Sequence, residues 1–298
     1  MLWPKAHTHP EKVPQRRAAA QTPGNTDMGI TLTEPELYLG EDVAGISTFR
    51  FAQGIACAFT GRAPGKESDN EDALGLIPCG SSAAVLVVAD GLGGLPSGKQ
   101  ASSIAVRQVS RNIVASCNEH PVFREAILDG IEQANQLVMA TGTGGGTTIA
   151  VVEIVNRTIR PYHVGDSEIL VTGQRGRIKH QTISHSPVGY AVEAGRLEAG
   201  EAIHDKERHI VSNIIGATDM RVEIGPRITL APRDTLVIGS DGLFDNLHAG
   251  EIKEIIRTGP LPAAAEQLLQ ACRARMIQFS EVLPHKPDDL GFILFRPE

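Results

Sequence analysis

Aromatic side chains make up only 4% of the 298 residues, with one Trp, three Tyr and eight Phe. So little stacking surface, joined to a formal net charge of −7, argues against a nucleic-acid platform, which needs bases to stack on and a basic field to approach. Cysteine is sparse as well. Cys57, Cys79, Cys117 and Cys272 lie far apart and form no CxxC pair, so free thiols in a reducing compartment are expected, with neither disulfides nor a zinc site. Long apolar runs are missing too: the longest, Ala83 to Ala89, falls far short of the roughly 20 residues that a membrane helix needs. Met1-Leu2-Trp3-Pro4-Lys5 shows no basic stretch leading into an apolar core, as a secretory leader would. Cytoplasmic residence is the expectation.

What the chain does have is core material, with 41% hydrophobic residues, ample for a large buried interior. Residues 1–45 are rich in Pro, Thr, Gln, Glu and Arg and carry no sustained periodicity beyond a short piece near Leu37 to Leu39. They are expected to be a disordered extension, leaving residues 46–298 as the folded domain. Ala83-Ala84-Val85-Leu86-Val87-Val88-Ala89 reads as a strand buried on both faces and stopping at Asp90-Gly91. Apolar residues at helical spacing follow over Gly98 to Cys117 and Phe123 to Met139. Strand texture returns over Thr147 to Val155, Ile159 to Val164 and Glu168 to Thr172. A helical or irregular insert over about 184–218 comes next, then strands over Arg221 to Leu230 and Asp234 to Gly239. Helices over Ala249 to Ile256 and Ala263 to Ile277 and a last strand over Gly291 to Arg296 complete the pattern. Without regular βαβ alternation, this order predicts an α+β sandwich of antiparallel sheets.

Acidic residues stand where strands are expected to end: Asn70-Glu71-Asp72-Ala73, Asp90-Gly91, Asp241-Gly242 and Asp288-Asp289. An isolated Asp-Gly is a turn signal. Asp90 and Asp241, however, each follow a strongly apolar strand that would hold the carboxylate on a rigid element. Clustered carboxylates repel unless a cation neutralises them. Hard ions such as Mg²⁺ or Mn²⁺ take such oxygens, and a pair of them can activate a water against a phosphoester.

These segments, in order, resemble the PP2C-type (PPM) metal-dependent protein serine/threonine phosphatases, in particular the bacterial members. The resemblance runs from about residue 50 to 298. Asn70-Glu71-Asp72-Ala73 resembles the first acidic motif, and Val88-Ala89-Asp90-Gly91-Leu92-Gly93-Gly94 the central one. Gly146-Thr147-Thr148 and Val164-Gly165-Asp166-Ser167 are similar to two further motifs. Ile183 to Gly195, Glu201-Ala202, Arg208-His209 and Ile215-Gly216 resemble the flap. Ser240-Asp241-Gly242-Leu243-Phe244-Asp245 and Asp288-Asp289-Leu290 resemble the last two acidic motifs.

The resemblance implies a four-layer α-β-β-α sandwich, two central mostly antiparallel sheets flanked by helices, with two Mg²⁺ or Mn²⁺ ions at one end. Asp90 would bridge both ions, joined on one by the Gly91 carbonyl. Glu71, Asp241 and Asp288 would hold the other, with Asp72 and Asp245 supporting waters. It implies a phosphorylated protein as substrate, a Ser/Thr kinase or its targets among the candidates. The sequence leaves the oligomeric state open, and a monomer is the default expectation.

Two positions depart from the family pattern. Four residues ahead of Glu71, where the family places a phosphate-gripping Arg, stands Glu67; Arg62 or Lys66 would have to supply the cation, and the guanidinium fork favours Arg62. No acid lies between Gln133 and Val152, where Thr141-Gly142-Thr143-Gly144-Gly145 stands in place of a third-ion ligand, so the third ion is expected to be weak or absent. These departures motivate an alternative, a weakened phosphoprotein-binding or sensor module of the same fold. A small-molecule phosphomonoesterase would share the chemistry.

Other features carry less. Gly142 to Gly146 lacks the Lys-Ser/Thr ending of a phosphate loop. Ser186, Ser240 and Thr147 lack the Gly-x-Ser-x-Gly setting of a nucleophile. His163, His185 and His209 are expected to pack rather than react.

Overall fold

The computed structural model describes residues 29–92, 96–117, 122–198, 201, 205, 207, 210–280 and 282–298. Its first strands are β1 (Ile30–Thr31), β2 (Glu36–Leu39), β3 (Ser47–Phe51), β4 (Gly54–Gly61), β5 (Asp72–Cys79) and β6 (Ala83–Leu92). Helices α1 (Pro96–Ser116) and α2 (Phe123–Ala140) follow. Next come β7 (Gly146–Thr147), β8 (Ile149–Val155), β9 (Thr158–Val164), β10 (Glu168–Thr172) and β11 (Ile178–Gln181). Helix α3 (Pro187–Glu193), β12 (Glu223–Ile224), β13 (Ile228–Thr229) and β14 (Thr235–Gly239) lead to a one-turn helix, α4 (Asp241–Phe244). Helices α5 (Ala249–Ile256) and α6 (Leu261–Ile277) precede the last strand, β15 (Leu290–Pro297).

The strands form two sheets. One runs β1-β3-β4-β15-β14-β10-β11; the other runs β12-β9-β8-β6-β5-β2, with β13 beside β9 and β7 beside β6. All pairings are antiparallel except β1 with β3.

The period-2 pleat explains the continuous apolar runs. Along β6, Ala84, Leu86 and Val88 join the core between the sheets, while Val85, Val87 and Ala89 pack under α1 and α2. Along β14, Leu236 and Ile238 belong to the inter-sheet core and Val237 to the core that holds Leu268 and Leu269 of α6. The four layers expected from the family resemblance are therefore present, each sheet turning one face to the central interface and the other to its own helical layer.

Two expectations need correction. Residues 30–39 are not a loose extension: β1 pairs with β3 and β2 with β5, and Tyr38 is buried in the inter-sheet core. Two strands too short to show periodicity win their place by covering sheet edges. Residues 1–28 lie outside the described residues. Second, Cys79 and Cys117 form a disulfide. Thirty-eight positions apart in sequence, they stand at the end of β5 and just past α1, with Cα atoms 5.5 Å apart, which spacing alone could not show. The free-thiol ground for a reducing compartment therefore covers only Cys57 and Cys272, both buried. Among the described residues, no helix is long and apolar enough to cross a membrane.

Candidate active site

Antiparallel pairing sets the start of one strand beside the end of its neighbour, and this brings the acidic segments to one end of the sandwich. Asp72 opens β5 directly opposite Asp90, near the end of β6. In the other sheet, Gly239 at the end of β14 lies opposite Phe292 of β15 and Glu168 of β10, so Asp241 and Asp288-Asp289 emerge at the same rim as Asp166. A cross-sheet hydrogen bond ties the halves, with Ser240 Oγ donating to Asp72 Oδ2 at 2.7 Å.

Close approach of backbones makes glycine necessary at two points. A Cβ on Gly98 would collide with Glu71 Oε1 and come within 2.9 Å of the Gly91 carbonyl oxygen; one on Gly242 would collide with the Asp289 carbonyl. Asp90 is gripped through its backbone: its carbonyl accepts from Thr147 Oγ1 at 2.7 Å and from Thr148 N–H at 2.9 Å. The Glu71 carbonyl accepts from Gly91 N–H at 3.2 Å and from Ser102 Oγ at 2.6 Å. The Gly-Thr-Thr segment is thus a clamp on Asp90 and no phosphate loop.

The carboxylates feel one another. Burial, then neighbouring Asp289, Asp288 and Asp241, raises Asp72 well above the usual carboxylate range. Burial, then Asp241, Asp72, Asp288 and Asp166, does the same to Asp90. Asp166 is raised by burial and by Asp241 and Asp245, and Asp288 is raised to about 6 by burial and Asp241. Glu71 joins through its backbone N–H, which donates to Asp289 Oδ2 at 2.8 Å. The expected residues Glu71, Asp72, Asp90, Gly91, Asp241 and Asp288 are therefore brought to one site, together with Asp166, Asp245 and Asp289. Asp166 was legible as part of the Val164-Gly165-Asp166-Ser167 segment, but its approach to Asp241 depends on the pairing of β10 with β14.

Arg62 is not aimed at this pocket. Its Nε donates to Asp42 at 2.6 Å and its Nη1 to the carbonyls of Glu67 and Ser68, so the preference for Arg62 over Lys66 is reversed. Lys66 Nζ contacts Glu71 Oε2 at 2.9 Å and Asp289 Oδ2 at 2.6 Å. Although burial works against its charge, hydrogen bonds to Asp289 and Glu71 push Lys66 up to about 12. A second ammonium, Lys286, was missed because its segment carries no motif. It contacts Asp241, Asp245 at 3.1 Å and Asp288 at 3.0 Å.

Even with two ammonium groups present, Glu71 Oε1, Asp72 Oδ1, Asp166 Oδ1 and Asp241 Oδ1 are buried without a hydrogen-bond partner. A buried carboxylate oxygen without a partner is costly. Orphaned, hard and anionic, these oxygens fit a divalent ion of the Mg²⁺ or Mn²⁺ type.

The profile of one family, "Protein phosphatase 2C", matches residues 64–278. The chain belongs to the protein phosphatase 2C family. Among curated relatives of this family member, a putative protein phosphatase 2C-type protein of Streptococcus pyogenes is 31% identical over 198 residues, 64% of this chain and 80% of the relative. Protein phosphatase PhpP of Streptococcus pneumoniae is 31% identical over 212 residues, 67% of this chain and 82% of its own length. Among solved structures, the serine/threonine phosphatase of S. agalactiae superposes with a TM-score of 0.67 at 25% identity, covering 82% of this chain and 99% of that one. That of Staphylococcus aureus gives 0.68 at 23% identity over 92% and 98% of the two chains, a likeness of fold.

Within this phosphatase 2C chain, the only His, Cys, Asp or Glu trio gathered within 4.8 Å among the described residues is His163, His185 and Glu223. It does not suit a metal. His185 Nδ1 accepts from Gly165 N–H at 3.1 Å and lies 2.8 Å from Asn213 Nδ2, which places the ring proton on Nε2, facing Glu223 at 3.1 Å. No lone pair of His185 is left for a cation. The stacked pair, 4.3 Å between ring centres, instead fastens the flap segment to the turn carrying Asp166. His209, like Arg208 and Ala202, lies outside the described residues.

Proposed function

We propose that this family member hydrolyses phosphoserine and phosphothreonine in protein substrates, at a centre of two divalent ions, Mg²⁺ or Mn²⁺. One observation carries the reading: four buried carboxylate oxygens, on Glu71, Asp72, Asp166 and Asp241, have no partner at a rim where the acidic groups crowd together. Asp90, the Gly91 carbonyl, Glu71, Asp241 and Asp288 would hold the ions, with Asp72, Asp245 and Asp166 behind them. When bound, ions of this class lower the pKa of water and offset the charge of the phosphate.

The remaining work falls to the chain. Thr147 and Thr148 fix the Asp90 backbone, and Ser240 fixes Asp72, so the carboxylates are held in place before substrate arrives. Lys66, in contact with Glu71 and Asp289, would meet a phosphate dianion as a point charge where the family pattern has a fork. A groove lined by Ile183, Val188, Val192, Phe244 and Leu247 runs up to Asp166, Asp241 and Asp245, with a volume of about 740 Å³. It would receive substrate residues flanking the phosphoryl group. The complete acidic set favours turnover over a binding module. A kinase or its targets as substrates, and a monomeric state, complete the proposal.

The test is phosphate release from phosphoserine and phosphothreonine peptides by the purified chain with Mn²⁺. Release that EDTA and Asp90→Asn both abolish supports the reading. Release that survives either one refutes it, and a preference for small phosphorylated metabolites would reassign the substrate.

A further inference from the structure

Lys286 is held at the acidic rim by more than its charge. Its backbone N–H donates to Asn246 Oδ1 at 2.9 Å, and its carbonyl accepts from Asn246 Nδ2 at 2.8 Å. Asn246 is itself fully buried and is anchored a second time by donating to the Gly242 carbonyl at 2.9 Å. This two-point clamp joins the residue after Asp245 to the segment ahead of Asp288. It fixes where the lysine stem begins, independently of what its ammonium meets. From there one ammonium serves three carboxylates, Asp241, Asp245 and Asp288.

One positive charge against three negative ones leaves a deficit, and Asp241 Oδ1 still has no partner. A divalent ion supplies twice the charge and accepts several oxygens at once. It cannot share so small a space with an ammonium, because the two cations repel. The lysine, on a flexible four-carbon stem with a strongly hydrated head, is the occupant able to leave.

Resting on the two-ion reading above, we infer that Lys286 is a tethered counter-ion: it neutralises the Asp241, Asp245 and Asp288 group in the metal-free chain, and a divalent ion loads there by displacing its ammonium to solvent. Metal affinity at this end of the centre is then set by an exchange, and the lysine makes it weaker than the carboxylates alone would.

The experiment is Mn²⁺ binding followed by calorimetry and by the electron paramagnetic resonance signal of free Mn²⁺, without substrate. Lys286→Gln should bind its weaker ion about tenfold more tightly than wild type, and in EDTA it should unfold at lower temperature. Lys179→Gln, which removes an equal charge from a remote pair with Asp234, should match wild type in Mn²⁺ affinity. Unchanged or weaker Mn²⁺ binding by Lys286→Gln overturns the inference alone. Absence of Mn²⁺ binding by wild type overturns the two-ion reading as well. If Lys286→Gln does not fold, reductive methylation of the wild-type chain read by mass spectrometry decides the matter. Labelling of Lys286 that rises with Mn²⁺ supports displacement, and labelling that is unchanged or falls refutes it.

Discussion

At the scale of single residues, the site depends on atoms that are absent as much as on charges that are present. Gly98 has no Cβ where one would strike Glu71 Oε1 and crowd the Gly91 carbonyl. Gly98→Ala is therefore expected to push both groups aside, weakening Mn²⁺ binding by about tenfold and costing roughly 1–3 kcal/mol of stability, as calorimetry and urea unfolding would show. Ser240 has a different task. Its hydroxyl is the hydrogen-bond donor to a carboxylate with no solvent exposure, while Asp72 Oδ1 already has none. Ser240→Ala should cost about 1–3 kcal/mol in the metal-free chain, measured by urea unfolding in EDTA; an unchanged midpoint would contradict the assignment.

At the scale of elements, the Cys79–Cys117 bond staples the end of β5 to the end of α1, and α1 carries Gly98 and Ser102 against Glu71. Closing a loop across 38 positions is worth on the order of 2–4 kcal/mol. Cys117→Ser should lose about that much to urea, while thiol counting on the unfolded wild-type chain should find two free cysteines and not four. Strand β2 has a comparable role at the sheet edge, covering β5 and burying Tyr38. Removing residues 1–40 strips that cover, and an uncovered edge invites association. The shortened chain should aggregate on light scattering at concentrations where the full chain does not.

For the whole molecule, stability depends on pH through two opposed sets of buried groups. Burial, then the facing His185, lowers His163 to about 4. Between pH 6.5 and about 4 the unfolded chain therefore takes up a proton that the folded chain refuses, so stability falls as pH drops through that window. Over the whole window the loss is on the order of 3 kcal/mol. Asp72, Asp90 and Asp166 act with the opposite sign, because their raised folded values favour the protonated form and cost stability as pH rises past the usual carboxylate range. Comparing wild type with His163→Asn in urea at pH 5 and 7, under one buffer and metal condition, isolates the first set: wild type should lose more stability on acidification. Equal losses would remove His163 from the account.

The sequence by itself determined the main strands and helices of residues 46–298 and the identity of the acidic ligand candidates. Strands such as Val85-Leu86-Val87-Val88-Ala89 must be buried on both faces, and Asp90 and Asp241 stand at their ends because an apolar run has to stop somewhere rigid. Local chemistry writes such things into short windows. What only the tertiary structure decided was which cation faces which carboxylate. Arg62 turns to Asp42 while Lys66 and Lys286 meet the acidic cluster, a choice made by loops packed from distant segments. The pairing of Cys79 with Cys117 and the inclusion of residues 30–39 in the sheets were likewise settled at long range, where contacts between segments remote along the chain leave no local periodicity to read.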